Sequence, residues 1–365
     1  QRDSKPLYTF YDGPPFATGL PHYGHLLAGT IKDVVLRYKT MKGFYVPRRF
    51  GWDCHGLPVE SEIEKKFELS GAASIEEFGI ARFNEECRKI VLRYTEEWKS
   101  VVNRMGRWVD FGNTYRTMDK PFMETVWWVF KQLYQEKGLV YEGLKVMPFS
   151  AKLGTPLSNF EASENYKEVD DPSLTVAFQS RDESNTYFLA WTTTPWTLIS
   201  NLALMVSPLI EYVEVIDHAS KRHFILASSR LSSYYKNEAD YTIVKTVPGA
   251  ELEGKRFIPI FDYFIDRVHQ GAFRVILEDS ISLEEGTGIV HSAPAFGEVD
   301  FYACQRAGIE PVCPVDNNGR FTEEIPEYRT LFVKDADKEI IRRLKQEEKV
   351  IQHGTCHHRY PYCPR

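Results

Sequence analysis

Residues 8–26, YTFYDGPPFATGLPHYGHL, constrain the chain more tightly than any other stretch. Tyr8, Thr9, Phe10 and Tyr11 are β-branched or aromatic and read as a short strand. Gly13, Pro14, Pro15 and Gly19 then force a turn. From Leu26 onward, Leu26, Leu27, Ile31, Val34, Val35 and Tyr38 recur at helical spacing, and Gly43 is placed to end the helix. His22 and His25, with Gly24 between them, therefore fall where a strand and turn become a helix N-terminus. Unpaired backbone N–H groups and the helix dipole favour an anion there. Two imidazoles add hydrogen bonds to a phosphate, and Gly24 lets a base or ribose approach the backbone.

The remainder of residues 1–145 reads as alternating strand and helix. A second strand is expected at 44–50 (FYVPRRF), followed by GWDCHGLPVE and a charged helix around 62–68. Ser74 followed by Glu77 reads as a capping box. One long amphipathic helix is expected to place Ile90, Val91, Tyr94, Trp98, Val101, Val102 and Met105 on one side. Another runs through 122–134, with Trp127, Trp128 and Phe130 read as core. Such βα units imply a parallel sheet with ligands at the carboxyl ends of its strands.

The character changes near 147–156. From Leu174 the segments SLTVAF, TYFLAWTTT, LALMV, EYVEVI, HFILA, YTIVKTV, RFIPIF, FRVIL and TGIVHSA are short and β-rich, separated by turn residues. This pattern predicts a β-barrel-like domain. A charged helix at 336–349 reads as a surface element. The 365 residues suffice for two or three cores. A net charge of −6 gives no global nucleic-acid signature, although a local basic patch is compatible with it. Six cysteines without a CxxC pair argue for a reducing compartment. No apolar run reaches the roughly 20 residues that span a bilayer, and QRDSKPLYTF is not a signal peptide, so a cytoplasmic location without membrane partners is expected.

PHYGH resembles the HIGH motif of class I aminoacyl-tRNA synthetases. DGPPFATG before it and GWDCHGLPVE after it are similar to isoleucyl-tRNA synthetases, and GWDCHG with NYKEVDDPS to their eukaryotic-type branch. The resemblance implies an α/β fold. Residues 1–145 would be the first half of a Rossmann-type aminoacylation domain. Residues 146–355 would be an inserted β-barrel-like (α+β) editing domain, connective peptide 1. Residues 356–365 would return towards a second Rossmann half. Neither a KMSKS loop nor a helical anticodon-binding domain is present in the sequence, so a C-terminal part of the same synthetase is expected as a partner.

By the same resemblance, His22, Gly24 and His25 bind ATP, which enters with Mg2+, and the histidines stabilise adenylate formation. Asp53 clamps the ammonium group of isoleucine through a charge-assisted bond. Pro14 packs on the substrate side chain, and Trp52 and His55 support the pocket. A methylene separates isoleucine from valine, and a hydrophobic pocket extracts only about 1–3 kcal/mol from it, the isoleucine–valine pair being the standard illustration. A second, hydrolytic pocket is the remedy. WTTTPWTL supplies Thr192, Thr193 and Thr194, a poor core and a good polar lining, with Trp196 shaping the pocket or stacking on the terminal base of tRNA(Ile). GTGIVHSAPAFGEVD supplies His291 beside the aminoacyl ester and Asp300, which grips its amino group. No Ser-His-Asp order or thiol occurs in these motifs, so an ordered water is the expected nucleophile.

Zinc is not expected: MPFSAKLGTPL has no cysteine where many bacterial relatives carry a first pair, and Cys356, His357, His358 and Cys363 suit no standard site. Cys54 reads as a packing residue. Three other readings stand beside an isoleucyl enzyme: a valyl-type synthetase, a small-molecule nucleotidyltransferase sharing HxGH, and a tRNA-binding module without turnover. The β-rich insertion with TTTPWT and Asp300 weighs against the nucleotidyltransferase, and intact His22, His25, Asp53 and Asp300 weigh against degeneration.

Overall fold

A computed structural model describes residues 4–363, so residues 364–365 of the expected return segment lie outside it. The chain divides between Gly143 and Leu144 into two compact units.

In the first unit, α1 (Tyr23–Met41) is followed by β1 (Arg49–Trp52), α2 (Leu57–Phe67), α3 (Gly71–Phe78), α4 (Ile80–Ile90), α5 (Thr95–Arg104), β2 (Asp110–Arg116) and α6 (Lys120–Gln135). The pairings are parallel: β1 with β2, and the single bridges Leu7–Tyr45 and Phe16–Asp53. The strand expected at residues 8–11 thus shrinks to a bridge at Leu7, and that at 44–50 shifts to β1. Gly51 is required where the strands cross, because a Cβ there would lie 2.2 Å from the Tyr115 ring. Phe50, Trp52, Val59, Val91, Trp98 and Val102 form the core.

Three helical expectations are corrected. Ser74 lies inside α3, its hydroxyl accepting from the Ser70 N–H at 2.8 Å, so the helix begins a turn before the supposed capping box. The long helix is two, α4 and α5. Its break has a tertiary cause: the Tyr94 N–H donates to the Ala17 carbonyl at 3.1 Å, outside any helical pattern. On α6 no residue is buried, with Trp127 69%, Trp128 60% and Phe130 46% exposed, so these aromatics are not core. Their apolar pattern is that of a packed helix, but among the described residues no element of this unit buries them.

The second unit opens with β3 (Phe149–Ser150), β4 (Thr155–Pro156) and α7 (Asn159–Ser163). Its main sheet comprises β5 (Tyr166–Gln179), β6 (Thr186–Thr192), β7 (Ala203–Val206), β8 (Glu211–Asp217) and β9 (His223–Ala227). After α8 (Leu231–Tyr234) it continues with β10 (Tyr241–Pro248), β11 (Arg274–Leu277) and β12 (Val290–Ser292). α9 (Glu298–Arg306), α10 (Val333–Gln346) and β13 (Val350–Pro361) complete the unit. The mixed order is β10-β8-β9-β6-β12-β7-β11, with β5 joining β6 to β13.

Residues 254–258 link the far edge, β11, back to β5. The Gly254 N–H donates to the Val275 carbonyl and the Ile258 N–H to the Gln179 carbonyl. RFIPIF is therefore a bridging segment rather than a full strand, and it curls the sheet towards a barrel. Val176, Phe178, Phe188, Leu204, Val275 and Ile289 fill the interior. β13 remains paired with β5 from Val350 to Pro361, continuing through residue 356 without a break.

α10 is not a surface helix. Val333, Ala336, Asp337, Ile340, Ile341 and Leu344 are buried, and its charges occupy the other face. Ile340→Ala is expected to lower the stability of this unit by about 2–5 kcal/mol, as a buried isoleucine truncation does. Urea unfolding followed by circular dichroism checks it.

Candidate functional site

In the first unit, His22 is the N-cap residue of α1, and its backbone N–H donates to His25 Nδ1 at 3.3 Å. The two rings stack with centroids 3.6 Å apart. Burial and then the neighbouring His22 and Lys32 lower the His25 pKa, since a second cation at this distance is unfavourable. A Cβ on Gly24 would sit 3.0 Å from the His22 ring. Trp98 of α5 packs edge-on to His25 at 4.8 Å and donates its indole N–H to the Gly19 carbonyl at 2.9 Å, holding histidine and turn together.

Pro14 is half-buried in this turn. Asp53 is also half-buried, its N–H donating to the Pro15 carbonyl at 2.9 Å, which places it beside the proline-containing loop. Trp52 is 3% exposed and packs on Phe50 and Trp98, so it is a core residue beneath the loop, whereas His55 is exposed. Cys54 is buried, its thiol raised above its ordinary pKa by burial. Asp12 anchors this loop. It is 3% exposed and pairs with Lys32 at 2.7 Å and Arg107 at 2.5 Å. A lone aspartate before Gly-Pro-Pro reads as a turn former, and only the fold brings two cations to it.

In the second unit, β6 ends at Thr192, and Pro195–Ser200 forms a 3-10 turn. The Thr194 N–H donates to Thr192 Oγ1 at 3.1 Å, and the Thr194 and Thr197 hydroxyls are 3.0 Å apart. Thr197 Oγ1 donates its one proton to the Thr194 carbonyl at 2.8 Å. It must then accept from His291 Nε2, 3.1 Å away, which fixes the Nε2–H tautomer. His291 is 7% exposed, and burial lowers its pKa to about 4, so it is neutral at pH 7. Its Nδ1 is buried without a partner. Thr193 is half-buried, and its side chain makes no hydrogen bond among the described residues.

Asp300 lies in the first turn of α9. It accepts the Ala293 N–H at 2.8 Å, and burial raises its pKa to about 6. A Cβ on Gly297 would come within 2.7 Å of its carboxyl group, so the glycine makes room for it. The Asp300 carboxylate does not hydrogen-bond the threonines or His291; it is tied to them through the β12 connection at 293. Trp196 packs edge-on to Phe296 at 4.7 Å, linking the two motifs.

Two residues of this site were not singled out beforehand: Thr197, inside the quoted motif, and Asp337. Asp337 is 5% exposed and accepts the Trp196 N–H at 2.9 Å. In the sequence it shares a helical register with Val333, Ile340, Ile341 and Leu344, which marks a face but not what covers it. A cavity of about 430 Å³ lies elsewhere, lined by Thr175, Trp191, Arg230, Tyr234 and Cys356 but by none of these site residues. The His357 and His358 imidazoles face Asp170 and Asp171 at 2.7 and 3.0 Å. Among the described residues no three His, Cys, Asp or Glu side chains are placed to hold a metal ion, and no helix is long and apolar enough to cross a membrane.

The family model for class I tRNA synthetases (I, L, M and V) matches residues 1–294. The chain belongs to the class I tRNA synthetases. It is 81% identical over 364 residues to the isoleucine--tRNA ligase of Protochlamydia amoebophila (strain UWE25) and 59% identical to that of Chlamydia muridarum (strain MoPn / Nigg). All of the chain but only 35% of each relative is covered, so the synthetase chain described here spans about a third of their length. The crystal structure of GlLeuRS-CP1 covers 50% of this chain and 99% of its own at 13% identity, with a TM-score of 0.39.

Burial acts in opposite directions on the site's titratable groups. Folded Asp300 keeps a proton that the unfolded carboxyl group loses near 3.9, so its contribution to stability falls as pH rises from about 4 to about 6. Asp337, also raised to about 6, acts in the same direction. Neutral His291 opposes an unfolded imidazole that is protonated up to about 6.5, so its contribution rises over the same window. Asp300→Asn is expected to make stability rise more steeply with pH than in the native chain, and His291→Gln to reverse that change. Urea unfolding at about pH 4.5 and about pH 6.5 reads both slopes.

Proposed function

We propose that this chain is the amino-acid-activating first half and the editing domain of an isoleucine--tRNA ligase. The observation that carries the reading is the hydrogen-bonded array of Thr192, Thr194, Thr197 and His291, with Asp300 on the adjoining turn. The names of the two chlamydial relatives favour isoleucine over valine as the substrate. Within this reading, residues 1–145 are the first Rossmann half, 146–355 the editing domain and 356–365 the return segment.

Activation joins two anions, the isoleucine carboxylate and the α-phosphate of ATP, so the site must hold them and offset their charge. His22, Gly24 and His25 at the N-terminus of α1 would receive ATP with its Mg2+. Asp53 would take the substrate ammonium, with Pro14 against its side chain. Trp52 supports the loop from beneath, and His55 is free to meet a ligand. The remaining walls belong to the rest of the synthetase, so the chain alone performs at most editing.

In editing, the valyl ester on the terminal ribose of tRNA(Ile) is cleaved by water. Water oxygen adds to the ester carbonyl and the carbon–oxygen bond to the ribose breaks. Valine leaves, and a water proton returns to the ribose hydroxyl. Asp300 is mostly ionised at pH 7 with a pKa of about 6 and fits the substrate ammonium, which would lower that pKa further. The threonine hydroxyls orient the water, while neutral His291, beside the ester, holds the Thr197 hydroxyl through Nε2. Thr193, free of internal bonds, is available to meet the substrate side chain, and Trp196 shapes the same pocket. The reaction requires no zinc, and a cytoplasmic location fits its substrates.

The test is deacylation of tRNA(Ile) charged with valine against the same tRNA charged with isoleucine. The chain is expected to release valine selectively. Asp300→Ala should reduce that rate at least about a hundredfold through lost positioning. Thr193→Arg should block it by filling the pocket. Equal hydrolysis of both esters, or native rates in both variants, would overturn the assignment.

A further inference from the structure

The 3-10 turn Pro195–Ser200 poses a backbone problem. Its first N–H position is proline, and the Thr197 N–H reaches the Thr194 carbonyl at 3.0 Å. The Trp196 N–H is left without a partner inside the turn, as the early donors of any helix are. Asp337 answers it from α10, 141 residues away, at 2.9 Å. This is the only hydrogen bond to that carboxylate among the described residues. Lys334, the cation whose charge Asp337 feels, is committed to Asp171 at 2.7 Å. A carboxylate only 5% exposed, on an otherwise apolar helix face, is costly to keep unless its position is used.

The use is visible one residue further on. Trp196 is flanked by Pro195 and by Thr197, the hydroxyl that binds both Thr194 and His291. Fixing the Trp196 amide fixes the turn and thus the direction of the Thr197 hydroxyl. It also seats the Trp196 ring against Phe296, on the segment that leads to Asp300.

We infer that Asp337 is a positioning residue of the editing site, holding the Trp196 amide so that Thr197, Thr194 and His291 keep their working geometry. The inference rests on the editing reading above. Asp337 touches no substrate; it acts through the turn.

Three variants of the chain separate this role from mere packing. Asp337→Asn retains an acceptor for the Trp196 N–H. Asp337→Leu keeps apolar volume on α10 but accepts nothing, and Asp337→Ala removes both. Each is assayed for deacylation of valyl-tRNA(Ile), for hydrogen exchange at the Trp196 amide and for thermal melting. Asp337→Leu and Asp337→Ala are expected to slow kcat at least about tenfold with KM within about twofold, a misplacement effect. Both should speed Trp196 amide exchange. Asp337→Asn should restore rate and protection, and Asp337→Leu should still melt cooperatively, so slow turnover in it is not unfolding. Native kcat in Asp337→Leu, or Asp337→Asn as slow as Asp337→Leu, would overturn the inference while leaving the editing reading intact. A native chain that releases no valine would overturn the editing reading, and this inference with it.

Discussion

The parallel contact of Val290 with Trp191 is the constraint on which the second unit's chemistry depends. It brings the ends of β6 and β12 side by side although they are about a hundred residues apart in the chain. Thr192 follows Trp191 and His291 follows Val290, so two loops leave the sheet together. Antiparallel pairing of β12 with β7 then holds His291 opposite Leu204. A shift of one residue in either pairing would turn His291 towards the other face of the sheet. The barrel-like closure through residues 254–258 keeps these strands from sliding independently.

Within that frame, polar groups are satisfied by one another rather than by apolar packing. Thr197 can donate only one proton, and that proton goes to a carbonyl, so the imidazole must supply the next hydrogen bond. The outcome is a neutral His291 whose Nδ1 is buried without a partner, and, on the turn that follows β12, a carboxyl group whose pKa is raised. Burial disfavours the charged form of each.

The first unit is organised by a different device. Its proline-containing loop has almost no regular structure of its own and is tied down from outside. Trp98 holds Gly19, Tyr94 holds Ala17, and Asp12 is clamped by Lys32 and Arg107. These ties explain why α4 and α5 do not fuse: continuing the helix would withdraw the Tyr94 N–H from the loop. They also place His25 against Trp98, at the mouth of α1. α6, by contrast, shows Trp127 and Trp128 to the outside, where Trp127 meets only Phe130 of the same helix among the described residues.

What the sequence determined by itself was local chemistry. Proline and glycine around residues 13–19 dictated a turn, alternating β-branched residues dictated the strands of the second unit, and PHYGH, WTTTPWTL and GTGIVHSAPAFGEVD marked the two candidate sites. These signals are legible because turn geometry and strand propensity act over a few residues. Tertiary structure alone decided which apolar faces found partners. It left the α6 aromatics outside, carried Asp337 and one face of α10 inside, and broke the expected long helix at 91–94. Burial and long-range hydrogen bonds are properties of what packs against a segment, and a segment's own residues do not contain that information.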